Sequence, residues 1–447
     1  MATNAPISAP ISNLRSGATT RAVRKNLTVM LLASAALMVA WSFAVPVFEA
    51  PDEPAHWQYA NYLRQKRTLP LEGPSFPEAA SPPLYYLLIA PLAVDVGLPP
   101  IGYVGPEYGR RYFLFPPRVY QNASGDLGLY WPFRAARLIN VLISALSLWF
   151  CALAGTEASG SPWTGLLVGG LMAFWPMFTF RGMNLSNDAL MTMLSALALY
   201  LIVRVIKRGF TWGIGIFAAL AIAGAFLSKI NAIVLPVPLL LALISEKATW
   251  RAKLLRAGVL GAIMLVIVAP WLIRNHHVYG EFLAQNAMFT MGSGFVRKHS
   301  FGLKYFRFYF PYHFITSFIG TFGWMNLFLP GLAYLVYTIA LVSAGACWMG
   351  GVWQRRIDFR LSAIISSAIV LNLMAVIHTN LSMAQPQGRY MLPSLPALAL
   401  LLGLGLESRR SWSESSTRLT LGGLAVTNLI ILVFLVIPAY WPPVITR

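Results

Sequence analysis

The sequence predicts an all-α polytopic membrane protein, and three observations carry that prediction. Mean hydropathy is +0.63. The chain is 57% hydrophobic and only 11% charged, which excludes an ordinary soluble domain. Apolar runs of about 20 residues, the length that crosses a bilayer, recur along the chain, and the Lys and Arg residues between them fall on alternate loops.

Residues 1–26 are polar, carry Arg15, Arg21, Arg24 and Lys25, and read as a disordered cytoplasmic tail ahead of a single membrane domain, 27–447. The first apolar run, 27–47, is too long for a signal-peptide core and reads as a retained helix. A long outer loop, 48–133, follows. In it Pro54 suits the first position of a helix, with Glu53 just before, so a short helix is expected to about Leu63. Trp57, Tyr59 and Tyr62 would hold that helix along the membrane surface. The apolar stretch after Ser81-Pro82-Pro83 is too short to span and reads as a second interfacial or re-entrant helix, and 99–132 as an irregular loop.

Ten further apolar runs lie at 135–155, 162–180, 188–206, 212–228, 230–245, 255–273, 325–349, 361–378, 391–406 and 419–438, for about eleven spans. The stretch 212–245 is divided at Ser228-Lys229-Ile230-Asn231, because a lysine at mid-bilayer costs about 2.5–3.5 kcal/mol. Residues 274–312 form a second outer loop. With the N-terminus inside, the short inner loops carry Arg204, Lys207 and Arg208; Lys247, Arg251, Lys253 and Arg256; Arg355, Arg356 and Arg360; and Arg409, Arg410 and Arg418. The inner turn near Glu157 has no basic residue, and the short outer loops carry only Arg181, Lys229 and Arg389. That asymmetry obeys the positive-inside rule.

The net charge of +19 follows from the same topology and not from nucleic-acid binding, since no soluble basic tract interleaved with aromatics is present. Both cysteines, Cys151 and Cys347, fall in apolar runs, so no disulfide framework is expected. Walker loops, dinucleotide fingerprints and nucleophile elbows are missing, which argues against ATP or a soluble nucleotide sugar as substrate. The histidines at 276, 277, 299, 313 and 378 lack metal-ligand spacing.

Chemistry is expected at the outer surface, where ten of the fifteen acidic residues fall. Asp52 and Glu53 are side by side just after the first span, and suit a base or a ligand for a divalent cation; equally, they could only cap the helix that follows. His56 could reach the same face. Asp188, at the mouth of the fourth span, is a second acid for the cleft, or a cap with Asn187. Outward cations form the second theme. Lys229 and Arg274, taken singly, read as side chains reaching for lipid headgroups. Arg389, within Gln387-Gly388-Arg389-Tyr390, reads as a phosphate ligand: Gly388 permits a tight turn and the guanidinium fork matches phosphate.

These stretches together resemble the C-type (GT-C) membrane glycosyltransferases. The resemblance is carried by Pro51-Asp52-Glu53-Pro54-Ala55-His56, Ser81-Pro82-Pro83-Leu84-Tyr85-Tyr86, Asn187-Asp188, Leu227-Ser228-Lys229 with Leu235-Pro236, and Gln387-Gly388-Arg389-Tyr390. It is nearest to a branch related to the protein-mannosyltransferase and aminoarabinose-transferase types. The resemblance implies transfer of a sugar from a polyprenyl-phosphate carrier to an acceptor hydroxyl on a glycan, lipid or protein, at the periplasmic face of the bacterial inner membrane. It implies Asp52 as base or metal ligand with Glu53 in support. His56, Asp188, Lys229, Arg274, Gln387, Arg389 and Tyr390 would contact substrate or its phosphate, and a divalent cation, Mg or Mn, would rest on Asp52 and Asp188. A flippase for a lipid-linked saccharide and a non-catalytic subunit of envelope assembly are the alternative expectations.

Overall fold

A computed structural model of the protein describes residues 17–71, 76, 78–94, 131–291 and 302–441. The expected irregular loop at 99–132 and most of the expected tail lie outside these residues. The chain folds as helices α1 (Gly17–Ala44), α2 (Glu53–Lys66), α3 (Leu84–Ile89), α4 (Trp131–Ser159), α5 (Pro162–Ala173), α6 (Pro176–Met183), α7 (Asp188–Arg208) and α8 (Trp212–Ser228). There follow α9 (Pro236–Ile244), α10 (Trp250–Tyr279), α11 (Gln285–Met291), α12 (Phe310–Ile319), α13 (Gly331–Trp353), α14 (Phe359–Ser382), α15 (Leu395–Glu407) and α16 (Glu414–Ile431). A two-strand antiparallel ribbon, β1 (Thr321–Phe322) with β2 (Leu327–Phe328), lies between α12 and α13.

This is an integral membrane protein. Among the described residues eight helices are long and apolar enough to cross a bilayer, nine if the pair α5–α6, bent by 70°, counts as one span. The expected figure of about eleven counted Trp212–Ser228 and Ile230–Ile244 as spans, and both fall short of that length. The bend follows from Pro176, which forces Trp175 into extended backbone and starts a new helix. The structure adds to three further expectations. α1 begins at Gly17, so the last ten residues of the expected tail are helical. Trp57 and Tyr59 are 1% exposed and pack inside the protein instead of at headgroups. The second outer loop is partly helical, with α11, a π-helical turn Tyr305–Tyr309 and the start of α12.

The core of the bundle is α4, packed on α5 and α7, with α8 beyond α7 and α13 against α15. The helix ends sort by charge. At one end, Arg208 grips Glu157 at 2.6 Å, the Phe210 N–H donates to Glu246, Glu246 pairs with Arg256, Lys207 stands 3.9 Å from Asp358, and Arg356 donates to the Ser408 carbonyl at 3.1 Å. All five loops expected inside thus meet at one end of the bundle.

At the other end the chain leaving α1 is held by one buried pair. Arg137 of α4 donates to Glu53 through Nε (2.8 Å) and Nη2 (2.7 Å), and both side chains are fully out of solvent. Arg137 also donates to the carbonyls of Ser42 and Val45 (2.8 Å each) and Pro46 (2.9 Å), the unsatisfied end of α1. Glu53 accepts in addition from the backbone N–H of Leu185 (2.9 Å) and Phe48 (3.1 Å), so four donors converge on its two oxygens. Removing one member strands the other charge, which costs about 3–5 kcal/mol in buried pairs. Arg137→Ala is therefore expected to lower the melting temperature in detergent sharply, and an unchanged melt would show that the pair does not hold this loop.

Candidate active site

Glu53 anchors the entry to α2, and Asp52 is placed by that anchor. Asp52 stands at the N-cap of α2 with φ 68°, a left-handed conformation that costs a non-glycine residue about 1–3 kcal/mol. Its side chain makes no capping hydrogen bond. It points instead to Arg389, with Oδ2 2.9 Å from Nη1. The capping role that the sequence left open for Asp52 is thus not what its carboxylate does.

Arg389 comes from the 3-10 segment Gly388–Ser394 that leads into α15. Gly388 is required for closeness and not for a turn. A Cβ there would run into the Phe314 carbonyl and Phe318 Cβ and come within 2.6 Å of Phe318 N, all on α12. The Gly388 N–H donates to Ser317 Oγ at 2.7 Å, which fastens the segment to α12. The Arg389 guanidinium is almost out of solvent, yet Nε and Nη1 make no directed hydrogen bond. A buried donor without an acceptor is costly, and here it faces the cluster described next.

Asp188, the first residue of α7, is the hub of that cluster. Its Oδ2 accepts from Arg181 Nε (2.9 Å) and Nη2 (2.6 Å), and its Oδ1 from Lys229 Nζ (2.6 Å). Neither it nor Asn187 caps α7 by a side-chain bond to the helix. Arg181 ends α6, so the bend at Pro176 is what turns it toward Asp188. Lys229 sits at the break between α8 and the short 3-10 turn Ile230–Val234. The Tyr390 ring lies against both cations, 5.9 Å from Lys229 Nζ and 5.5 Å from Arg389 Cζ. Its hydroxyl donates to Gln385 Oε1 at 3.1 Å, which also receives Gln387 Nε2 at 2.8 Å.

On the other side of Asp52 lie His56 and Glu78. His56 Nδ1 is 2.9 Å from the Tyr86 hydroxyl, which donates to Glu78 Oε2 at 3.4 Å. Ser81 Oγ donates to the same oxygen at 2.6 Å, and the Tyr86 ring stacks on Tyr59 at 3.8 Å. Burial raises the Asp52 carboxyl, but Arg389, then Arg181 and Lys229 among the nearby cations, outweigh it and hold it below the usual carboxylate range. Burial drives His56 down to about 3, so its imidazole is neutral near pH 7. Burial and then the Asp52 charge push the Glu78 carboxyl up. Ligand atoms of Asp52, His56 and Glu78 lie within 4.8 Å of one another.

The structure thus brings together Asp52, His56, Asp188, Lys229, Arg389 and Tyr390, with Gln387 one contact behind. Two expected members stand apart. Glu53 is saturated by its four donors and has no valence left for substrate. Arg274 donates to the Pro70 carbonyl at 2.6 Å and to Asn275 at 3.0 Å, and none of its contacts is to the cluster. Among the described residues the group of potential metal ligands does not include Asp188, whose oxygens are instead bonded by two cations. Sequence reading missed Glu78, Tyr86 and Arg181. Glu78 stands three residues before the Ser81-Pro82-Pro83 motif, and Arg181 seven before Asp188, which was the available signal.

Comparison with known proteins gives the fold. Residues 131–273 match the family model described as dolichyl-phosphate-mannose-protein mannosyltransferase. ArnT from Cupriavidus metallidurans, solved bound to undecaprenyl phosphate, superposes with a TM-score of 0.54 at 16% identity over 92% of this chain and 73% of its own. The chain carries the C-type glycosyltransferase fold. AglB from Archaeoglobus fulgidus, an archaeal oligosaccharyltransferase solved with an inhibitory peptide and a dolichol-phosphate, gives 0.52 at 12% identity over 95% of this chain and 56% of its own. The present chain therefore spans little more than half of that relative. No curated protein matches the chain by sequence.

The close fit at Gly388 makes a clear forecast for this C-type fold. Gly388→Ala must push Arg389's segment away from α12, at a cost of about 1–3 kcal/mol. A lowered melting temperature is expected; a variant with native stability would show that the contact with α12 is dispensable.

Proposed function

We propose that this protein transfers a glycosyl group from a polyprenyl-phosphate carrier to an acceptor hydroxyl, at the membrane face opposite its basic loops. The observation that carries this reading is the 2.9 Å approach of Asp52 to Arg389, with Lys229 and Asp188 in the same cluster. A carboxylate and an under-bonded guanidinium side by side suit a reaction in which a proton leaves one reactant and negative charge gathers on the other. The fold and the partial family match support the same class.

In the proposed reaction the acceptor oxygen attacks the anomeric carbon and its proton passes to Asp52. The bond from that carbon to the phosphate oxygen breaks, and the electron pair stays on the phosphate. Arg389 and Lys229 would hold the charge that grows there, and Asp188 with Arg181 keeps Lys229 extended toward it. A single displacement of this kind inverts the configuration of the sugar. Orientation follows from charge: with the basic loops cytoplasmic, the cluster would face the periplasm of a bacterial inner membrane.

Asp52, His56 and Glu78 would hold a divalent cation, and their mix of one imidazole and two carboxylates suits Mn or Zn better than Mg. Such an ion, when bound, would supply positive charge to the phosphate. Treatment with EDTA is expected to lower turnover, and Mn or Zn to restore it in the native protein but not in Glu78→Gln. Full turnover after chelation would remove the ion from this account.

The main test is Asp52→Asn in a purified assay that follows release of polyprenyl phosphate, together with mass spectrometry of envelope glycans from a strain carrying the same change. Turnover should fall by about 10²–10⁴, with melting temperature and membrane insertion unchanged. Native turnover in that variant would end the reading.

A further inference from the structure

We propose that Asp52 and the carrier's phosphate occupy Arg389 in turn, so that the anionic headgroup must displace the carboxylate to be seated and, by displacing it, releases Asp52 toward the acceptor. The identity of the anion rests on the glycosyl-transfer reading; the exchange itself rests on the geometry of the two side chains.

Among the carboxylates of the site, Asp52 is held in a different manner. Glu53 receives four donors and Asp188 is bonded by Arg181, Lys229 and Ser186. Asp52 has the ion pair with Arg389, but that contact is not a directed hydrogen bond, because Nη1 and Nε of Arg389 are both without an aligned acceptor. The Asp52 side chain is 21% exposed against 8% for Arg389, so the carboxylate is the more accessible partner. The backbone that carries Arg389 is fixed, since Gly388 is wedged against α12 and bonded to Ser317, and the guanidinium itself is buried. The carboxylate can move: it sits at the N-cap of α2 without capping it, and rotation about its side-chain bonds alone carries it away from Arg389.

A phosphate is the better partner for what Arg389 offers. Its non-bridging oxygens can meet two guanidinium N–H groups at once, whereas Asp52 meets one nitrogen. Arriving phosphate would therefore satisfy the buried donors that Asp52 leaves unmet. In the resting state the pair has the opposite effect: Asp52 occupies the anion site and is itself withheld from any hydroxyl, so that acceptor or water meets a restrained base until donor is bound.

The test measures dissociation constants of undecaprenyl phosphate, with undecaprenol as the uncharged control, for the full chain in detergent with EDTA present, so that loss of a cation from Asp52 cannot mask the gain. Wild type is compared with Asp52→Asn, Asp52→Ala, Arg389→Gln and the double variant Asp52→Asn/Arg389→Gln, each checked by thermal melt. Removing the competing carboxylate should tighten undecaprenyl phosphate binding about tenfold, the equivalent of one modest ion pair. Arg389→Gln should weaken it, the double variant should match Arg389→Gln, and undecaprenol should bind all of them alike. The exchange is overturned if both Asp52 variants bind the carrier no tighter than wild type, if undecaprenol shows the same gain, or if the gain survives without Arg389. Unchanged carrier affinity with lost turnover in Asp52→Asn would remove the exchange and leave the transfer reading standing. Retained turnover would instead remove the transfer reading.

Discussion

The candidate site depends on one ion pair that stands apart from its cluster of charges. Arg137 and Glu53 meet out of reach of water, and between them they satisfy the carbonyl end of α1, two backbone N–H groups and each other. Buried charges of this kind contribute little net stability compared with an apolar core, but they tolerate few alternative geometries. Here the fixed geometry is what matters: α2 must start at Glu53, and the residue before it is forced into a left-handed conformation with its carboxylate directed away from the helix it precedes.

Around that anchor the polar groups divide between the two ends of the bundle. The loops rich in Lys and Arg are tied together by Glu157, Glu246 and Asp358. The other end collects Asp52, His56, Glu78, Arg181, Asp188, Lys229 and Arg389 from six separate elements. Bends supply two of these: the break at Pro176 delivers Arg181, and the break after Ser228 delivers Lys229. Interrupted spans open backbone and side chains to a cavity instead of lipid, which is where such interruptions are tolerated.

Much of this was legible in the sequence. The apolar runs marked where most of the long helices lie, though α1 begins ten residues ahead of its run, and the charge alternation assigned the loops to two ends, because both signals follow from the cost of placing charge in hydrocarbon. Asp52, Asp188, Lys229 and Arg389 stood out for the same reason. Glu53 did not separate from Asp52, since adjacent carboxylates look equivalent until a partner 84 residues away in sequence claims one of them. Trp57 and Tyr59 were read as interfacial because an amphipathic ring gives the same signal whether lipid or protein covers it. Glu78 and Arg181 lie near Ser81 and Asp188 in sequence, but that nearness alone does not assign them to the site; tertiary packing sets them beside Asp52 and Asp188. The two short helices at 212–244 show the limit of counting spans by hydropathy: a run can be apolar enough and still be cut in length by a break, here the one that carries Lys229.

One feature of α4 sets the protein's relation to its solvent. The helix is continuous from Trp131 to Ser159, carrying Arg137 near one end and Glu157 near the other. Twenty residues of helix rise about 30 Å, close to the hydrocarbon thickness of an ordinary bilayer. A continuous helix therefore ties the height of the Asp52–Arg389 cluster to the opposite end of the bundle. In a thinner or thicker lipid film the helix must tilt or the lipids must stretch. Chain length of the surrounding phospholipids would then govern how far that cluster stands from the headgroups, without any change in the protein itself.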